Sequence, residues 1–511
     1  MADFFYQMKI LIKHINFIGG AVFCFFIIST IILFRLKPNE RSSLFLIKIC
    51  NYSSTIFFGV FVINGIFYLF YPNFLNHIEP TVASLGLALK KGEAVYPIPV
   101  SSYPYNGILY GPALFEMQMV FQSMITSILV GSKLPGLIAL AISFYVLLTM
   151  RKDWIYRGYL LYLFPFGLML FWNRAEPFLL LLVTITLFLN TRFTENRYLP
   201  IIAGILGGSA SAFKLHGAAY IFAAYLATLD KNISLKDIII FSLSSIISFF
   251  CFFLPENISF MGFFTYTSLA ASRHGLSFFL WLESFVYLMF LILPFFILKG
   301  FKKMPVLNIT LIAIIEFLIT IVASKRGNGF YHLLPLIPIN AFFMLDDEKA
   351  INSKKNVLAI LFACLIVTSF ITVIGDLILP MGKSWKKFYE AKREVVIISE
   401  KRPDIMMGVT DEDGYPYSFF RVLLKNRQID YASFMDLQIS GIKDDPLIEH
   451  LNHCNICCML IPNKGEAFTL KNYFTLSPLF SDKLRKVFRE RFFLIEKGRY
   501  YSIYECKRVT K

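Results

Sequence analysis

Long apolar runs separated by short polar loops fill the chain as far as residue 380. A bilayer's hydrocarbon core calls for about 20 apolar residues in a spanning helix, or about 17 at the low end. That pattern predicts spans at 15–34, 52–71, 112–131, 134–150, 158–172, 177–190, 199–213, 216–229, 237–254, 277–298, 306–323, 331–346 and 357–379. Several are too short to cross alone. The pairs flanking Asn173-Arg174 and Lys214 are expected to be broken or re-entrant helices, which are tolerated only against protein or a cavity. The fold class expected is an α-helical polytopic membrane bundle of about 11–13 transmembrane helices over residues 1–380.

After Met381 the rhythm changes. A charged helical stretch at 383–402 leads into an apolar run at 404–409, and a helix-like stretch follows at 416–425. A strand at 429–434, a helix at 445–453, a strand at 456–461 and a helix at 481–491 come next. The chain closes on Phe492–Glu496, a Lys497-Gly498 turn and Tyr500–Glu505, which reads as a hairpin. Strands alternating with helices predict a small C-terminal α/β soluble domain over 381–511.

Composition agrees with this division. Of 511 residues 56% are hydrophobic and only 16% charged, against about a quarter charged in a soluble globular chain. Residues 381–511 hold 23 of the 50 Lys/Arg and 17 of the 34 Asp/Glu. The net charge of +16 does not point to nucleic acid. Basic residues cluster in short loops (Arg35/Lys37/Arg41/Lys48, Arg151/Lys152/Arg157, Arg192/Arg197, Lys299/Lys302/Lys303, Lys349/Lys354/Lys355), as the positive-inside bias produces. No small-residue cleavage site follows the first apolar run, so no cleavable signal peptide is expected. Cys24, Cys50, Cys251 and Cys364 lie in or beside apolar spans and behave there as small hydrophobes. His450, His453, Cys454, Cys457 and Cys458 look like a metal cluster. A buried strand at 456–461 explains them more simply, because a strand sends Cys457 and Cys458 to opposite faces.

One polar, aromatic-rich loop, 72–112, interrupts the apolar pattern. It reads His77-Ile78-Glu79-Pro80, Lys90-Lys91-Gly92-Glu93-Ala94-Val95-Tyr96, Tyr103-Pro104-Tyr105-Asn106-Gly107 and Tyr110-Gly111-Pro112. A carboxylate at the mouth of a membrane bundle is a functional candidate by default. The order of these features resembles the first external loop of the GT-C membrane glycosyltransferases, in particular the bacterial lipid-linked-sugar transferases related to the aminoarabinose and protein-mannosyl transferases. Phe171-Trp172-Asn173-Arg174-Ala175-Glu176-Pro177 looks like the Arg-x-Glu/Asp element of that class. Ser211-Ala212-Phe213-Lys214-Leu215-His216-Gly217 is similar to its Lys-bearing small-residue helix. Lys325-Arg326-Gly327-Asn328-Gly329-Phe330-Tyr331-His332-Leu333-Leu334-Pro335 resembles its late Gly-Tyr-x-Leu-Pro element.

The resemblance implies an inverting glycosyltransferase that takes a sugar from a polyprenyl-phosphate donor to a hydroxyl of a glycan, lipid or protein acceptor. It assigns the general base to Glu79. Many members carry paired carboxylates in this loop, whereas here Ile78 precedes a single Glu79; a divalent metal is therefore an open cofactor question, since such an ion takes several oxygen ligands. Glu79 also reads as a helix-start carboxylate suited to the helix dipole, and Glu93 and Glu116 are its rivals. The leaving phosphate calls for a cation at the membrane boundary, and the candidates are Arg174, Lys214, Arg273, Lys325 and Arg326. Arg174 and Lys214, flanked by apolar residues, are the least easily explained as loop charges, and Glu176 is the resting partner expected for one of them. Tyr103, Tyr105 and Tyr110, and Tyr96 with them, are candidates to stack on sugar, although tyrosines are common at membrane interfaces in any case; His332 is a candidate to bind substrate, with hydrogen-bonded packing as its plainer reading. His216 and His274 read the same way.

Two other functions share these substrates: a transporter or flippase of lipid-linked oligosaccharide, and a polymerase or ligase. No inverted repeat is visible, and a permease does not ordinarily carry a large α/β tail. A plasma-membrane location is expected, with loop and tail extracytoplasmic. The positive loop at 35–48 turns the Glu79 loop outward, whereas thirteen literal spans would put loop and tail on opposite sides.

Overall fold

The computed structural model describes residues 40–103, 105–193, 196–298, 304–344, 348–426 and 428–507. It is predominantly helical with a small C-terminal sheet, the class expected from the sequence. The predicted span 15–34, Arg35 and Lys37, Cys24, and the basic cluster at Lys299, Lys302 and Lys303 lie outside the described residues. The chain divides into two compact units. One gathers Gly136–Cys251 and Leu276–Pro380 with the N-terminal segment as far as Phe67; the other gathers Tyr68–Pro135, Phe252–Gly275 and Met381–Lys511.

Among the described residues, five helices are long and apolar enough to cross a membrane unaided: Ile47–Phe70, Ile128–Met150, Phe278–Leu298, Val306–Ala323 and Lys354–Lys401. The other expected spans are shorter or interrupted. The run at 112–131 forms a helix only over Pro112–Met124, since Ile125 turns to extended backbone. The run at 158–172 is a 3₁₀ stretch, Leu161–Leu170, broken at Gly167, whose φ of 55° suits glycine. The run at 331–346 is divided between Phe330–Leu333 and Leu336–Phe343.

In the first unit, helix Leu199–Phe213 packs on helix Leu235–Cys251 through a face of small residues. A Cβ on Gly204 would stand 2.6 Å from the Phe241 carbonyl oxygen, and one on Gly208 2.2 Å from that of Ser245. Backbones approach this closely only through small residues, the usual way membrane helices associate. The Ser245 hydroxyl donates to the Gly204 carbonyl at 2.9 Å across the same contact.

The second unit carries a four-stranded sheet in the order β1-β2-β4-β3, with β1 Met406–Met407, β2 Cys458–Pro462, β3 Phe492–Lys497 and β4 Tyr501–Cys506. β1 runs parallel to β2 (Met406 opposite Met459), and β4 is antiparallel to both β2 and β3 (Ile503 opposite Leu460, Cys506 opposite Phe492). All five residues of β2 are buried, and the apolar run around Cys458 forms one of the two interior strands. A disulfide joins Cys454 to Cys506; burial pushes the Cys458 thiol up to about 11.

One expected element is overturned. The strand at 429–434 is instead helix Tyr431–Ile439, because the Asp430 carboxylate accepts from the backbone N–H of Ala432 and of Ser433, both at 3.1 Å, and caps a helix there. The same aspartate ties the tail to the polar loop. Thr81 Oγ1 donates to Asp430 Oδ1 at 2.9 Å, and Arg421, fully buried, donates to Thr81 Oγ1 at 3.0 Å and reaches Asp430 Oδ2 at 3.4 Å. Asn73 Nδ2 donates to the Pro416 carbonyl at 2.9 Å, and the Tyr71 and Ser384 hydroxyls meet at 2.7 Å.

Candidate active site

Each unit holds one polar cluster of chemical interest. In the second unit, Glu79 is the first residue of helix Glu79–Lys90, whose second position is Pro80. Proline there costs no hydrogen bond, and a carboxylate in the first turn favours the helix dipole. Yet Glu79 is fully buried, and its oxygens are held from two sides. The Tyr68 hydroxyl donates to Oε1 at 2.6 Å and the Asn76 backbone N–H to Oε2 at 3.1 Å. Asn76 Oδ1 in turn accepts from Ile78 N–H at 2.9 Å, which shapes the turn ahead of the helix.

Sequence reasoning missed the residue that secures this turn. Lys133 is buried at 1% exposure, and its ammonium donates to the carbonyls of Tyr68 at 3.1 Å and of Tyr71 and Asn73 at 2.7 Å each. It also lies 4.3 Å from the Tyr68 ring centroid. A buried ammonium is tolerated only when its three donors are met, and here three carbonyls at the end of a helix meet them. Lys133 thus fixes the backbone that presents both Tyr68 and Asn76 to Glu79.

In the first unit, Glu176 opens helix Glu176–Arg192 and is buried among cations. Lys214 Nζ lies 2.8 Å from Glu176 Oε1, the Trp172 indole N–H donates to Oε2 at 3.0 Å, and Arg174 Nε stands 3.8 Å from Oε2. The Arg174 guanidinium is 4.0 Å from the Trp172 ring centroid and donates to the Tyr331 hydroxyl at 3.2 Å. Lys214 Nζ also approaches His332 Nε2 at 3.3 Å, and His332 Nδ1 faces His216 Nε2 at 3.1 Å. A helix break creates the place for Lys214: helix Leu199–Phe213 stops, Lys214 is extended (φ −158°), and Gly217–Ala227 begins. Gly217 is required there, since a Cβ would sit 2.1 Å from the Ala210 carbonyl. Two cations share the Glu176 carboxylate.

Arg273 is exposed at the end of helix Phe260–Arg273, and its neighbour His274 meets Asp436 at 3.1 Å. Lys325 and Arg326 are half-buried in the turn after Val306–Ala323, with Lys325 paired to Leu276 in a single bridge. Tyr110 is buried and its carbonyl accepts from the Tyr96 hydroxyl. Tyr105 is buried against Phe434, ring centroids 4.7 Å apart. Tyr103 is half-buried, stacks on His450 at 4.4 Å and reaches the Met406 sulfur at 3.3 Å. Glu93 and Glu116 are half-buried. Among the described residues, no group of three His, Cys, Asp or Glu stands ready to hold a metal ion.

A polytopic helical chain with a helical first loop, a broken-helix cation cluster and a compact α/β tail has the fold of the GT-C membrane glycosyltransferases. The structure is similar to that of ArnT from Cupriavidus metallidurans, solved bound to undecaprenyl phosphate, with a TM-score of 0.52 over 88% of this chain and 98% of that one, at 12% identity. No family model matches the sequence. No curated protein matches it either.

Proposed function

We propose that this chain is an inverting glycosyltransferase that moves a sugar from a polyprenyl-phosphate donor to a hydroxyl of a glycan, lipid or protein acceptor at the outer face of the plasma membrane. The observation that carries this reading is the GT-C fold, shared with an ArnT solved with undecaprenyl phosphate. In the reaction, the acceptor hydroxyl oxygen attacks the anomeric carbon as the bond from that carbon to the phosphate oxygen breaks. The electron pair leaves with the polyprenyl phosphate, and the acceptor proton passes to Glu79. Tyr68 and Asn76 hold the carboxylate of Glu79 in one orientation, which suits a base that must lie within hydrogen-bond reach of the attacking hydroxyl.

Lys214 and Arg174 are the counter-charges for the phosphate. Charge builds on the leaving oxygen, and preorganised cations in a water-poor setting stabilise it. Their hold on Glu176 keeps the cations in place between turnovers. The Cys454–Cys506 disulfide supports an extracytoplasmic tail, because disulfides persist in oxidising compartments. The test is an assay of the purified full chain with a panel of polyprenyl-phosphate sugars. Transfer with release of polyprenyl phosphate is expected; failure to consume any donor in the panel overturns the reading.

A further inference from the structure

The second unit contains a cavity of about 320 Å³ beside the turn that carries Asn76. Phe74, Phe388 and Phe419 line it and are buried. Asn76, His77 and Ser384 also line it and are half-buried. None of the lining residues is an Asp, Glu, Lys or Arg. The wall is also braced. The Tyr71 hydroxyl meets Ser384, and its ring stands edge-on to Phe388 at 6.3 Å. The His77 ring packs on Tyr473 at 5.1 Å.

We infer that this cavity is the acceptor subsite of the transferase and that it takes a neutral hexose ring. The inference rests on the transferase reading above and names the acceptor class that reading leaves open. Four features favour this occupant. A volume near the lower end of ordinary ligand pockets, about 300 Å³, suits a ring rather than a lipid chain. Aromatic side chains lining the cavity together with an amide, an imidazole and a hydroxyl match a ring that is apolar on its faces and polar at its edge. The uncharged lining offers no partner to a phosphate or carboxylate, whose burial without one is costly. Finally, Asn76 belongs to both places: it lines the cavity, and its backbone N–H holds Oε2 of Glu79. A ring hydroxyl of the bound hexose then gives its proton to Glu79 as its oxygen forms the new bond to the donor's anomeric carbon, and the phosphate departs with the electron pair of the broken bond.

The experiment has a binding arm and a kinetic arm, both on the full chain in lipid nanodiscs. Saturation-transfer NMR with methyl hexopyranosides is expected to show contact in the parent protein and none in Ser384→Phe, which fills the cavity. With a donor the parent consumes, transfer to the same methyl hexosides should show an acceptor KM raised about tenfold or more in Ser384→Phe while the donor KM stays within about twofold. Hexose phosphates and long-chain alcohols should be poor acceptors. If Ser384→Phe does not fold, Phe419→Leu, which keeps apolar bulk but removes a ring face, replaces it with the same expected direction. Absence of hexoside contact in the parent, or an unchanged acceptor KM in the folded variant, overturns the inference. A parent that binds hexosides but consumes no polyprenyl donor instead overturns the transferase reading.

Discussion

The Lys133 ammonium donates to the Tyr71 carbonyl oxygen at 2.7 Å, and the same ammonium takes the carbonyls of Tyr68 and Asn73 as well. One side chain therefore ends a helix and anchors the turn that precedes Glu79.

Lys133→Met should lower stability by about 2 kcal/mol or more, since it strands the buried carbonyls of Tyr71 and Asn73, each costing about 1–3 kcal/mol when unsatisfied, while the Tyr68 carbonyl keeps the Tyr71 N–H. Thermal unfolding in detergent measures this. A variant as stable as the parent shows that the clamp is not needed to hold the turn.

Glu79→Gln should abolish transfer while leaving expression and donor binding largely intact. The amide keeps the shape, and its one oxygen can accept from the Asn76 N–H while its NH2 donates to the Tyr68 hydroxyl, but it cannot take the acceptor proton, so turnover should fall on the order of 100-fold or more. Near-normal turnover would remove Glu79 as base and promote Glu116.

For the donor phosphate, Lys214→Met should weaken donor affinity by about tenfold or more with a smaller effect on the acceptor. Equilibrium binding of a polyprenyl phosphate to the variant checks the first half, and acceptor KM the second. Equal losses on both sides would assign Lys214 to holding Glu176 alone.

Gly208→Leu should prevent the chain from accumulating as a folded protein. The new side chain has no room against the Ser245 carbonyl and the neighbouring backbone, and overpacking a tight contact costs about 1–3 kcal/mol or more. Monodispersity after solubilisation reads the outcome, and a monodisperse variant would mean the two helices can part without loss.

Cysteines introduced at Glu93 and Glu412 should be labelled from the same side of the membrane, because the loop and tail share hydrogen bonds such as Thr81 to Asp430. Opposite-side labelling with an impermeant reagent would contradict those bonds and restore the thirteen-span count.

What could be read from the sequence followed the physics of each residue. Arg174 and Lys214 stood out because a charge among apolar neighbours needs a reason, and Glu176 is indeed their partner. Lys133 passed unnoticed beside a predicted span at 134–150, since its partners are backbone carbonyls, which leave no mark on a sequence. The Arg421–Asp430–Thr81 group joins residues some 340 positions apart, beyond any local pattern. The strand expected at 429–434 failed for a different reason. Tyr431 and Phe434 favour strands, but the capping carboxylate of Asp430 outweighed that preference. The disulfide was missed because Cys506 lies 52 residues beyond Cys454 and no spacing rule links them.

The bonds from Thr81 to Asp430 and from Asn73 to Pro416 also constrain how such a protein can be rearranged. Residue 380 looks like a seam in the sequence, yet a chain cut there would leave Asn73 and Thr81 with severed partners. A chimera that borrows another protein's tail must borrow the stretch Tyr68–Pro135 along with it, or rebuild both halves of each bond. Loop and tail have to be moved as one piece, whatever their distance along the chain.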